Sequence, residues 1–600
     1  SGRYAAGGQS LNVMLQQLHA AWHQGQLSDV ALHFAGLIAR LDPVADENVL
    51  LGAALTSQYA VSGEVCMNLG EIAGTSVLVG AEGAEIIAPK LSSWLTSLRR
   101  SSVVGINDAY QPLVLENDDR LYLYQYRNLE ARLASALRSR AEAPDFGVDP
   151  AQLNRALSVV FPVVAEAMEQ REAAVLTVRR PFAVISGGPG TGKTTTVVRV
   201  LALLQELNIV VPDRVALSAP TGKAAARLRE AVAQASTGSE LLDVSPLGEA
   251  VTLHRLLGWR SGGRPPRYGP NRAIPYDVVV VDEVSMVDLA LMTQLLEALP
   301  AKARLILLGD QDQLASVEAG AVLGDICAAA ESKPLLGSIA RLGHSWRFTR
   351  DSQIGRLATA VTNGDTNEAL ATLSRSGHSD AIMRPVAKRT DLVDLLEEHC
   401  MNVYAEGLRL AATGAPAEVV FESISRLQLL AAHRVGPGGV HELNQQIEKQ
   451  LALRGLLRSG DTWYPGRPVL VTRNDYNLRL FNGDVGVVLR DPDQPERLKA
   501  VFAQPEGGWR AISPGRLPEH ETAYAMTVHK SQGSEFNCVI MVLPERASLL
   551  LSRTLLYTAI TRATDRLEIW GSTEILEEAI RRRVRRASGL RDRLCSVGVT

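Results

Sequence analysis

The stretch that decides the fold of this chain reads Phe182-Ala183-Val184-Ile185-Ser186-Gly187-Gly188-Pro189-Gly190-Thr191-Gly192-Lys193-Thr194. Its first five residues lack polar alternation, which predicts a strand buried on both faces of a parallel sheet. The glycines that follow match G-x-x-x-x-G-K-[ST], a loop whose backbone N–H groups close around phosphates at the start of a helix. Strand, loop and helix together predict an α/β domain with a nucleotide site.

The phosphate loop gives its side chains defined roles. Lys193 is expected to reach the β- and γ-phosphates of ATP, and the Thr194 hydroxyl is expected to bind Mg²⁺. The predicted nucleotide-binding residues of the loop are Gly187, Gly188, Pro189, Gly190, Thr191, Gly192, Lys193, Thr194 and Thr195.

Acidic and polar residues follow two later strands. Four valines at 278–281 end in Asp282 and Glu283, and the run 304–309 leads to Gln313. Because ligands bind at the carboxyl ends of strands in open α/β sheets, these side chains are expected beside the phosphates. Asp282 is predicted to hold Mg²⁺, Glu283 to orient and deprotonate the attacking water, and Gln313 to hydrogen-bond the γ-phosphate.

Composition limits the class of protein. The 600 residues carry 62 Lys+Arg and 65 Asp+Glu, a net charge of -3, and are 46% hydrophobic, which excludes a disordered, collagenous or disulfide-scaffold protein. The charge balance argues against a uniformly basic nucleic-acid binder but leaves room for a local basic groove. Five cysteines without a C-x-x-C pair, and no long apolar run, predict a cytoplasmic protein without a membrane span.

The chain divides into regions of different pattern. Residues 1–145 are predicted to be mainly helical, with helices near 27–41 and 128–141 and a hairpin of 112–115 with 121–124. Short apolar runs that alternate with helical patterns begin near residue 150 and predict an α/β domain. Similar runs at 427–431, 538–543 and 567–570 leave open a second α/β core.

Six further stretches, in order along the chain, resemble the motifs of superfamily 1 DNA helicases, and most closely the RecD-like family that includes the alpha subunit of exodeoxyribonuclease V (RecBCD complex). They are Ser218-Ala219-Pro220-Thr221-Gly222-Lys223, Thr252-Leu253-His254-Arg255, Gly309-Asp310-Gln311-Asp312-Gln313, Ser345-Trp346-Arg347-Phe348, Thr527-Val528-His529-Lys530-Ser531-Gln532-Gly533-Ser534-Glu535 and Tyr557-Thr558-Ala559-Ile560-Thr561-Arg562.

This resemblance implies a specific architecture and activity. The fold would be α/β, with two RecA-like parallel-sheet motor domains at 150–338 and 339–600, a mainly helical partner-docking domain at 1–145, and a small β-barrel inserted at about 445–520. The activity would be an ATP-dependent, 5′-to-3′ single-stranded-DNA translocase and helicase. Its partners would be RecB-like and RecC-like subunits of a heterotrimeric helicase–nuclease in double-strand-break repair and recombination, with no nuclease site in this chain.

The resemblance also implies residue roles. Gln170 resembles the adenine-reading glutamine, and Arg347 and Arg562 would reach the γ-phosphate from a second domain, so that hydrolysis depends on cleft closure. Single-stranded and tailed double-stranded DNA would run over a track of backbone contacts. The candidate DNA-binding residues are Pro220, Thr221, Lys223, His254, Arg473, Asn474, Asn482, Thr527, His529, Lys530 and Ser531.

Two other functions remain open from the sequence. One is a stand-alone RecD-like DNA helicase that works without partner subunits. The other is a phosphate-loop ATPase that is not a motor, such as a kinase or an ATP-gated switch. Such a protein would need neither the two arginines nor the polar stretch at 527–535.

Overall fold

The computed structural model describes residues 2–596, apart from 108, 118, 162–163, 165–166, 238–249, 261–263, 350, 375–378, 459, 476 and 505–506. Among these residues, no helix is long and apolar enough to cross a membrane. The described strands form two parallel sheets, a mixed four-stranded sheet, an antiparallel five-stranded sheet and a two-stranded ribbon.

The N-terminal region combines helices with a small mixed sheet in the order β1-β6-β5-β4. The predicted hairpin is confirmed as β5 paired antiparallel with β6, and the two predicted helices are confirmed as α2 and α6. Trp94 and Leu98 are fully buried beneath α3 and join its core to the sheet. The elements are α1 (Gly2–His23), α2 (Asp29–Leu41), α3 (Glu47–Val61), β1 (Met67–Asn68), α4 (Leu69–Ile72), β2 (Ser76–Val79), β3 (Glu85–Ile87), α5 (Leu91–Arg100), β4 (Val104–Ile106), β5 (Leu113–Glu116), β6 (Arg120–Leu123) and α6 (Tyr124–Ala141).

The first parallel sheet has the strand order β12-β7-β11-β10-β8-β9, with helices on both faces. The elements of this part are α7 (Pro150–Val160), α8 (Met168–Arg179), β7 (Phe182–Gly187), α9 (Lys193–Glu206), β8 (Val215–Ala219), α10 (Gly222–Thr237), β9 (Val251–Thr252), α11 (Leu253–Leu256), β10 (Val278–Val281), α12 (Leu289–Ala298), β11 (Arg304–Gly309), α13 (Val322–Ala328) and β12 (Ile339–Leu342).

The valines of β10 show why this sheet lies at the centre of its domain. Val279 and Val281 point into one apolar core and Val278 and Val280 into the other, and all four are 0% exposed. Burial of each valine side chain contributes about 1.5–3 kcal/mol. Because β10 is buried on both faces, Asp282, which directly follows its last residue, is held firmly at the carboxyl edge of the sheet.

The second parallel sheet has the order β13-β22-β21-β14-β20, which confirms a second α/β core. Its strands β14, β21 and β22 cover the three apolar runs of the sequence. The elements are α14 (Gln353–Asn363), α15 (Thr366–Leu373), β13 (Ala381–Pro385), α16 (Arg389–Leu395), a π-helical turn (Leu396–Cys400), α17 (Met401–Ala412), α18 (Ala417–Ser425), β14 (Leu427–Ala431), α19 (Val440–Leu453), β15 (Pro468–Val471), β16 (Val485–Arg490), β17 (Leu498–Ala503), β18 (Trp509–Ile512), β19 (His520–Thr522), β20 (Ala525–Thr527), β21 (Phe536–Val542), α20 (Arg553–Ile560), β22 (Ala563–Gly571), α21 (Thr573–Arg581) and α22 (Leu590–Cys595).

Two expected boundaries differ from the structure. β12 pairs with β7, so the first sheet continues past residue 338, where the sequence analysis ends the first motor domain. The strand is short and half-exposed and contains Arg341, so it lacks the apolar run that marks the central strands. The insertion begins later than residue 445, because α19 runs to Leu453 and its apolar face lies in the core of the second domain.

The inserted sheet is antiparallel in the order β18-β17-β16-β15-β19. β18 and β19 are its edges and do not pair with each other among the described strands, so a closed β-barrel is not found. Its small core includes Val469, Val471 and Phe502 on one face. The other face also packs, because Leu470 and Val487 are buried in the cores of the second domain. A pattern of apolar strands alone cannot distinguish such packing from closure into a barrel.

The chain ends by returning to the N-terminal region. After α21 it runs extended to α22, whose Leu590 and Leu594 are buried in the same core as Tyr122 and Leu323. The Ala587 carbonyl accepts a hydrogen bond from Val65 N at 3.0 Å. The last segment therefore contacts the N-terminal region and the first parallel-sheet domain, although it follows the second.

Candidate nucleotide and DNA sites

The phosphate loop lies between β7 and α9, as the sequence predicts. Gly190 and Gly192 have φ of 75° and 80°, a left-handed conformation that glycine adopts without strain. A Cβ at Gly190 would also collide with the Cβ of Arg347. Lys193 Nζ donates to the carbonyls of Gly187 at 2.7 Å and Gly188 at 3.0 Å, which holds the ammonium inside the loop.

Gln170 lies behind the loop. Its side chain is buried, its Nε2 is 3.5 Å from the Thr191 carbonyl, and its Oε1 accepts from Arg199 Nη1 at 3.1 Å. Trp346 lies on the same side, because a Cβ at Gly192 would be 3.5 Å from the indole ring. Half of the Trp346 side chain is exposed. Gln170 thus packs against the side of the loop that faces away from the cavity. Trp346 is a neighbouring aromatic residue that the sequence analysis did not select as a site residue.

Asp282 and Glu283 form the acidic edge of the first sheet. Glu283 has a φ of 51°, and its backbone N–H donates to Asp282 Oδ1 at 2.8 Å. Burial and the neighbouring Glu283 raise the pKa of Asp282, while the backbone N–H of Glu283, Lys193 and Arg227 oppose the rise. A buried carboxylate with an adjacent carboxylate is stabilised by a cation, so this donor set suits a divalent metal ion.

One cavity of about 590 Å³ brings the six predicted catalytic residues together, namely Lys193, Asp282, Glu283, Gln313, Arg347 and Arg562. Pro189, Gly190, Gly192, Thr194 and Thr195 of the phosphate loop line it as well. Gly187, Gly188, Thr191 and Gln170 are not among the lining residues. The cavity is large enough for a ligand of drug size, and one wall comes from each parallel-sheet domain.

The two arginines enter the cavity from different directions. Arg562 is buried behind α20 and donates from Nε to the Thr558 carbonyl at 3.1 Å and from Nη1 to the Ser534 carbonyl at 3.2 Å. Arg347 comes from the segment that leaves β12, and Trp346 N donates to the Gly190 carbonyl at 2.8 Å. Arg347 therefore lies against the phosphate loop of the first domain. This differs from the expectation that it reaches the cavity from the second parallel-sheet domain.

Two further residues line the cavity, namely Glu535, which the sequence analysis quoted but did not select as a site residue, and Arg227, which it did not mention. Arg347 Nη2 is 2.6 Å from Glu535 Oε1, and Arg227 Nη1 is 3.5 Å from the same oxygen. Burial alone raises the pKa of Glu535, but Arg227, Arg347 and Arg562 outweigh it and hold the pKa below its ordinary value. The position of Arg227 one helical turn after Lys223 on α10 was the available signal, since residues four apart share a helix face.

Asp310 connects the two domains next to the cavity residue Gln313. Its Oδ2 accepts from Tyr557 Oη at 2.9 Å and from Gln313 Nε2 at 3.2 Å, and its Oδ1 accepts from Asp312 N at 3.0 Å. Burial raises the pKa of Asp310, while Lys193 and these donors oppose the rise. Tyr557, on α20 of the second domain, is another functional candidate that the sequence analysis quoted but did not select.

Several predicted DNA-binding residues meet where the two domains and the insertion converge. Lys530 donates to Asn482 Oδ1, and Asn482 N donates to Asn474 Oδ1 at 2.7 Å. A Cβ at Gly222 would be 3.2 Å from the Phe481 ring, so the start of α10 touches the same loop. Burial and Arg227 lower the pKa of Lys223 to about 8, whereas Asp484 of the insertion raises it.

The other predicted DNA-binding residues have varied surroundings. Thr221 and Thr527 accept backbone N–H groups of their own turns, from Ala224 at 3.2 Å and Lys530 at 3.4 Å. Ser531 is fully buried and its hydroxyl donates to Val528 O at 2.8 Å, so in this structure the hydroxyl is not accessible to a DNA strand. Four predicted residues remain. Pro220 is half-buried, and His254 is exposed with its ring 5.8 Å from the ring of Trp259. Arg473 pairs with Glu519 at 3.2 Å, and burial and Arg586 lower the pKa of His529.

Family models match three parts of the chain. An AAA domain matches residues 170–319, a UvrD-like helicase C-terminal domain matches 522–569, and the RecBCD enzyme subunit RecD, N-terminal domain, matches 23–122. The first match contains Asp282 and Glu283 of the acidic edge, and the second contains the cavity residue Arg562. The third covers the region that carries no cavity residue.

Curated relatives resemble the chain over most of its length. The RecBCD enzyme subunit RecD of Mycolicibacterium smegmatis is 39% identical over 96% of this chain and 98% of that protein. The subunit of the same name from Mycobacterium tuberculosis is 40% identical over 96% and 97%. The ATP-dependent RecD2 DNA helicase of Deinococcus radiodurans is 32% identical over 80% of this chain and 59% of that protein. Among solved structures, Bacteroides Pif1 bound to single-stranded DNA aligns with a TM-score of 0.37 and 15% identity, over 69% of this chain and 94% of that one.

Proposed function

The chain belongs to the RecD family and is an ATP-dependent DNA helicase, and we propose that it is the 5′-to-3′ single-stranded-DNA motor of a heterotrimeric helicase–nuclease that acts in double-strand-break repair and recombination. The observation that carries this proposal is the cavity between the two parallel-sheet domains, with the phosphate loop and acidic pair on one wall and Arg562 on the other. Such an arrangement links ATP hydrolysis to domain movement. The relatives named RecBCD enzyme subunit RecD support the heterotrimer and its RecB-like and RecC-like partners.

The alternative is a stand-alone helicase, for which the RecD2 relative is the supporting observation. The RecBCD-type relatives from Mycolicibacterium smegmatis and Mycobacterium tuberculosis are more similar to this chain than the RecD2 relative, at 39–40% against 32% identity. The match of residues 23–122 to the RecBCD-type N-terminal domain also favours the subunit. We propose that residues 1–145 dock on a partner subunit and that no nuclease site lies in this chain.

The residues of the cavity suit the hydrolysis of ATP. Lys193 is held within the loop, and its ammonium would leave the loop carbonyls for the phosphates. Glu283, beside Asp282, would take a proton from water, and Arg562 and Arg347 would stabilise the transition-state charge, an effect worth ~10³–10⁵ in rate for such arginines. Gln170 would position the loop from behind and read the adenine at its edge.

The donor set beside the phosphate loop fits Mg²⁺. Asp282 is a buried carboxylate whose pKa is raised by burial and by Glu283, so a cation there would relieve both effects. The Thr194 hydroxyl lines the same cavity. When bound, Mg²⁺ would neutralise charge on the β- and γ-phosphates.

The cluster at Lys530, Asn482 and Lys223 is the proposed DNA track. It combines cations, amides and the Phe481 ring at the junction of three structural units. Contacts of this kind hold a strand by its backbone and by stacking, without reading its sequence. A net charge of -3 agrees with such a local track, since a motor must also release the strand.

The experiment uses the full chain, alone and with the RecB-like and RecC-like subunits. Duplexes with a 5′ single-stranded tail should be unwound with ATP and Mg²⁺, and duplexes with a 3′ tail should not be unwound by this motor. Lys193→Gln should abolish both ATP hydrolysis and unwinding while leaving the fold intact. Full unwinding by that variant would refute the site, and 3′-tail preference would refute the polarity.

A further inference from the structure

The charged side chains that line the ATP cavity balance one another. ATP with Mg²⁺ carries net negative charge, so one of the ion pairs among these side chains has to give way when the nucleotide binds. The pair best suited to do so is one whose cation a phosphate can take over. Among the described residues, the lining carries four cationic and four acidic side chains, namely Lys193, Arg227, Arg347 and Arg562 with Glu230, Asp282, Glu283 and Glu535.

Glu535 pairs with two of these arginines across the boundary between the domains. It lies between β20 and β21 of the second sheet, whereas Arg227 is on α10 and Arg347 follows β12 of the first. Arg347 Nη2 is 2.6 Å from Glu535 Oε1, and Arg227 Nη1 is 3.5 Å from the same oxygen. Although burial raises the pKa of Glu535, Arg227, Arg347 and Arg562 outweigh that effect, so the carboxylate is charged at neutral pH.

Arg347 uses only part of its guanidinium on this carboxylate. Its Nη1 is buried and has no hydrogen-bond partner among the residues that the structure describes. Its backbone is fixed against the phosphate loop, because Trp346 N donates to the Gly190 carbonyl at 2.8 Å and a Cβ at Gly190 would collide with the Cβ of Arg347. A guanidinium binds a phosphate best through two N–H groups at once. A phosphate bound to both terminal nitrogens of Arg347 would therefore compete with Glu535 for Nη2.

We propose that Glu535 is a counterion of Arg347 and Arg227 that competes with the γ-phosphate of ATP for these arginines. This inference rests on the proposed ATPase function and adds a regulating residue of the second domain to that site. When ATP binds, the arginines bind the γ-phosphate and Glu535 loses its partners. When inorganic phosphate leaves, the carboxylate pairs with the arginines again. Glu535 thus lowers the affinity of the cavity for a triphosphate and speeds the release of phosphate.

The direction of the effect separates this role from a structural one. If the ion pairs only held the two domains together, loss of the carboxylate would open the cavity and weaken nucleotide binding. If the carboxylate competes with phosphate, loss of its charge leaves Arg347 and Arg227 to the nucleotide and strengthens binding. ADP lacks the γ-phosphate, so competition predicts that its affinity stays the same, whereas an opened cavity would weaken the binding of ADP as well.

Glu535→Gln in the full chain with single-stranded DNA is the test. Direct titration should show a non-hydrolysable ATP analogue bound about 5-fold more tightly, the upper range for a partly exposed ion pair, and ADP bound as before. Inorganic phosphate added with ADP should inhibit turnover at lower concentrations than in the unaltered chain. Release of phosphate after a single turnover, followed with a fluorescent phosphate sensor, should be slower.

Two further variants complete the comparison. Glu535→Asp keeps the charge and should bring the analogue affinity back toward that of the unaltered chain, which a loss of folding in the Gln variant could not mimic. Glu442→Gln is the matched control, because Glu442 pairs with Arg389 at 2.6 Å in the second domain and lies outside the cavity lining. It should leave the affinities and the phosphate release unchanged.

The outcomes that contradict these conclusions differ in level. An analogue affinity that is weaker or unaltered in Glu535→Gln, or an equal gain for ADP and the analogue, would overturn the competition with the γ-phosphate. Absence of DNA-stimulated hydrolysis in the unaltered chain would instead reject the motor function itself, before any variant is compared.

Discussion

Arg562 holds its charge in an enclosed position. Burial lowers the pKa of this arginine, while Glu283 and Glu535 oppose the effect, and two backbone carbonyls accept its N–H groups. A guanidinium fixed in this way needs no reorganisation when charge develops on a phosphate. The planar arrangement of its N–H donors matters more for binding a phosphate than its positive charge alone, because a lysine ammonium would supply only a point charge.

Arg562→Lys should therefore lower kcat for ATP by about 10³-fold while leaving ATP binding nearly unchanged, since the arginine acts on the transition state. Steady-state hydrolysis with saturating DNA and a separate nucleotide titration measure the two quantities. Arg566→Lys is the matched control, because Arg566 lies on the following strand, pairs with Glu568 at 2.8 Å and is outside the cavity. A variant of Arg562 with normal kcat would exclude the arginine from catalysis.

We expect Lys223, a residue of the proposed DNA track, to give DNA binding a pH dependence. Its pKa is lowered to about 8 by burial, with Arg227 and Arg562 lowering it further and Asp484 opposing them. The protonated form is the one that binds a phosphate, so affinity for single-stranded DNA should fall as the pH rises from 7 to 9. Lys223→Arg should remove this fall, because arginine stays protonated throughout. Fluorescence anisotropy with a labelled oligonucleotide measures this affinity. Lys499→Arg is the control and should retain the fall, because Lys499 pairs with Asp491 at 2.7 Å and is not part of the proposed track.

At the scale of elements, the segment that runs from α21 to α22 connects the second parallel-sheet domain with the first one and with the N-terminal region. Arg586 Nη1 donates to the carbonyls of Glu318 at 2.8 Å and Gly320 at 3.1 Å, in the loop that follows Gln313. Farther on, Glu130 of α6 is fully buried and accepts from Tyr122, Ser588, Gly589 and Arg593. The arginine-rich run at 581–586 is therefore partly structural, although a charge run in sequence usually indicates a solvated face.

Glu130→Gln should destabilise the junction of α6 with α22 by about 3 kcal/mol, because the buried carboxylate that pairs with Arg593 is lost and Glu116 alone remains to pair with that arginine. Hydrogen exchange of the backbone N–H groups in 590–595 measures the local effect. Glu297→Gln removes a surface pair between α12 and Arg132, and should cost about 1 kcal/mol or less. Equal exchange in the two variants would show that the buried network does not hold the segment.

Sequence patterns predicted the elements that lie in the interior of the parallel sheets. β10 and β11 occupy the predicted residues, because strands buried on both faces require uninterrupted apolar runs. β12 escaped prediction because it is a half-exposed edge strand, and the open form of the inserted sheet depends on which edges pair in space. In the cavity, motif spacing located Lys193 and Asp282. The contact of Arg227 with Glu535 and the contact of Tyr557 with Asp310 join residues of different domains, and no local pattern contains such contacts.

At the scale of the whole molecule, two direct bonds join the loop after Gln313 to the second domain. Leu314 N donates to Thr558 Oγ1 at 3.0 Å, and Gln532 Nε2 donates to the Leu314 carbonyl at 3.0 Å. Gln532 follows the DNA-track residue Lys530 by two positions, and Leu314 follows the cavity residue Gln313. The ATP cavity and the proposed DNA track therefore share one loop, and ligands at the two places should change each other's affinity.

Thr558→Val tests this coupling because it keeps the shape of the buried side chain and removes the acceptor of Leu314 N. In the unaltered chain, a non-hydrolysable ATP analogue should change the affinity for single-stranded DNA by a factor within about 5–150, and DNA should change analogue affinity by the same factor. The variant should reduce that common factor severalfold while each ligand alone binds as before. Thr362→Val, whose hydroxyl bonds within α14 to the Ala358 carbonyl, should leave the factor unchanged. Four titrations per protein measure the cycle, and an unaltered factor in Thr558→Val would show that the loop does not transmit the coupling.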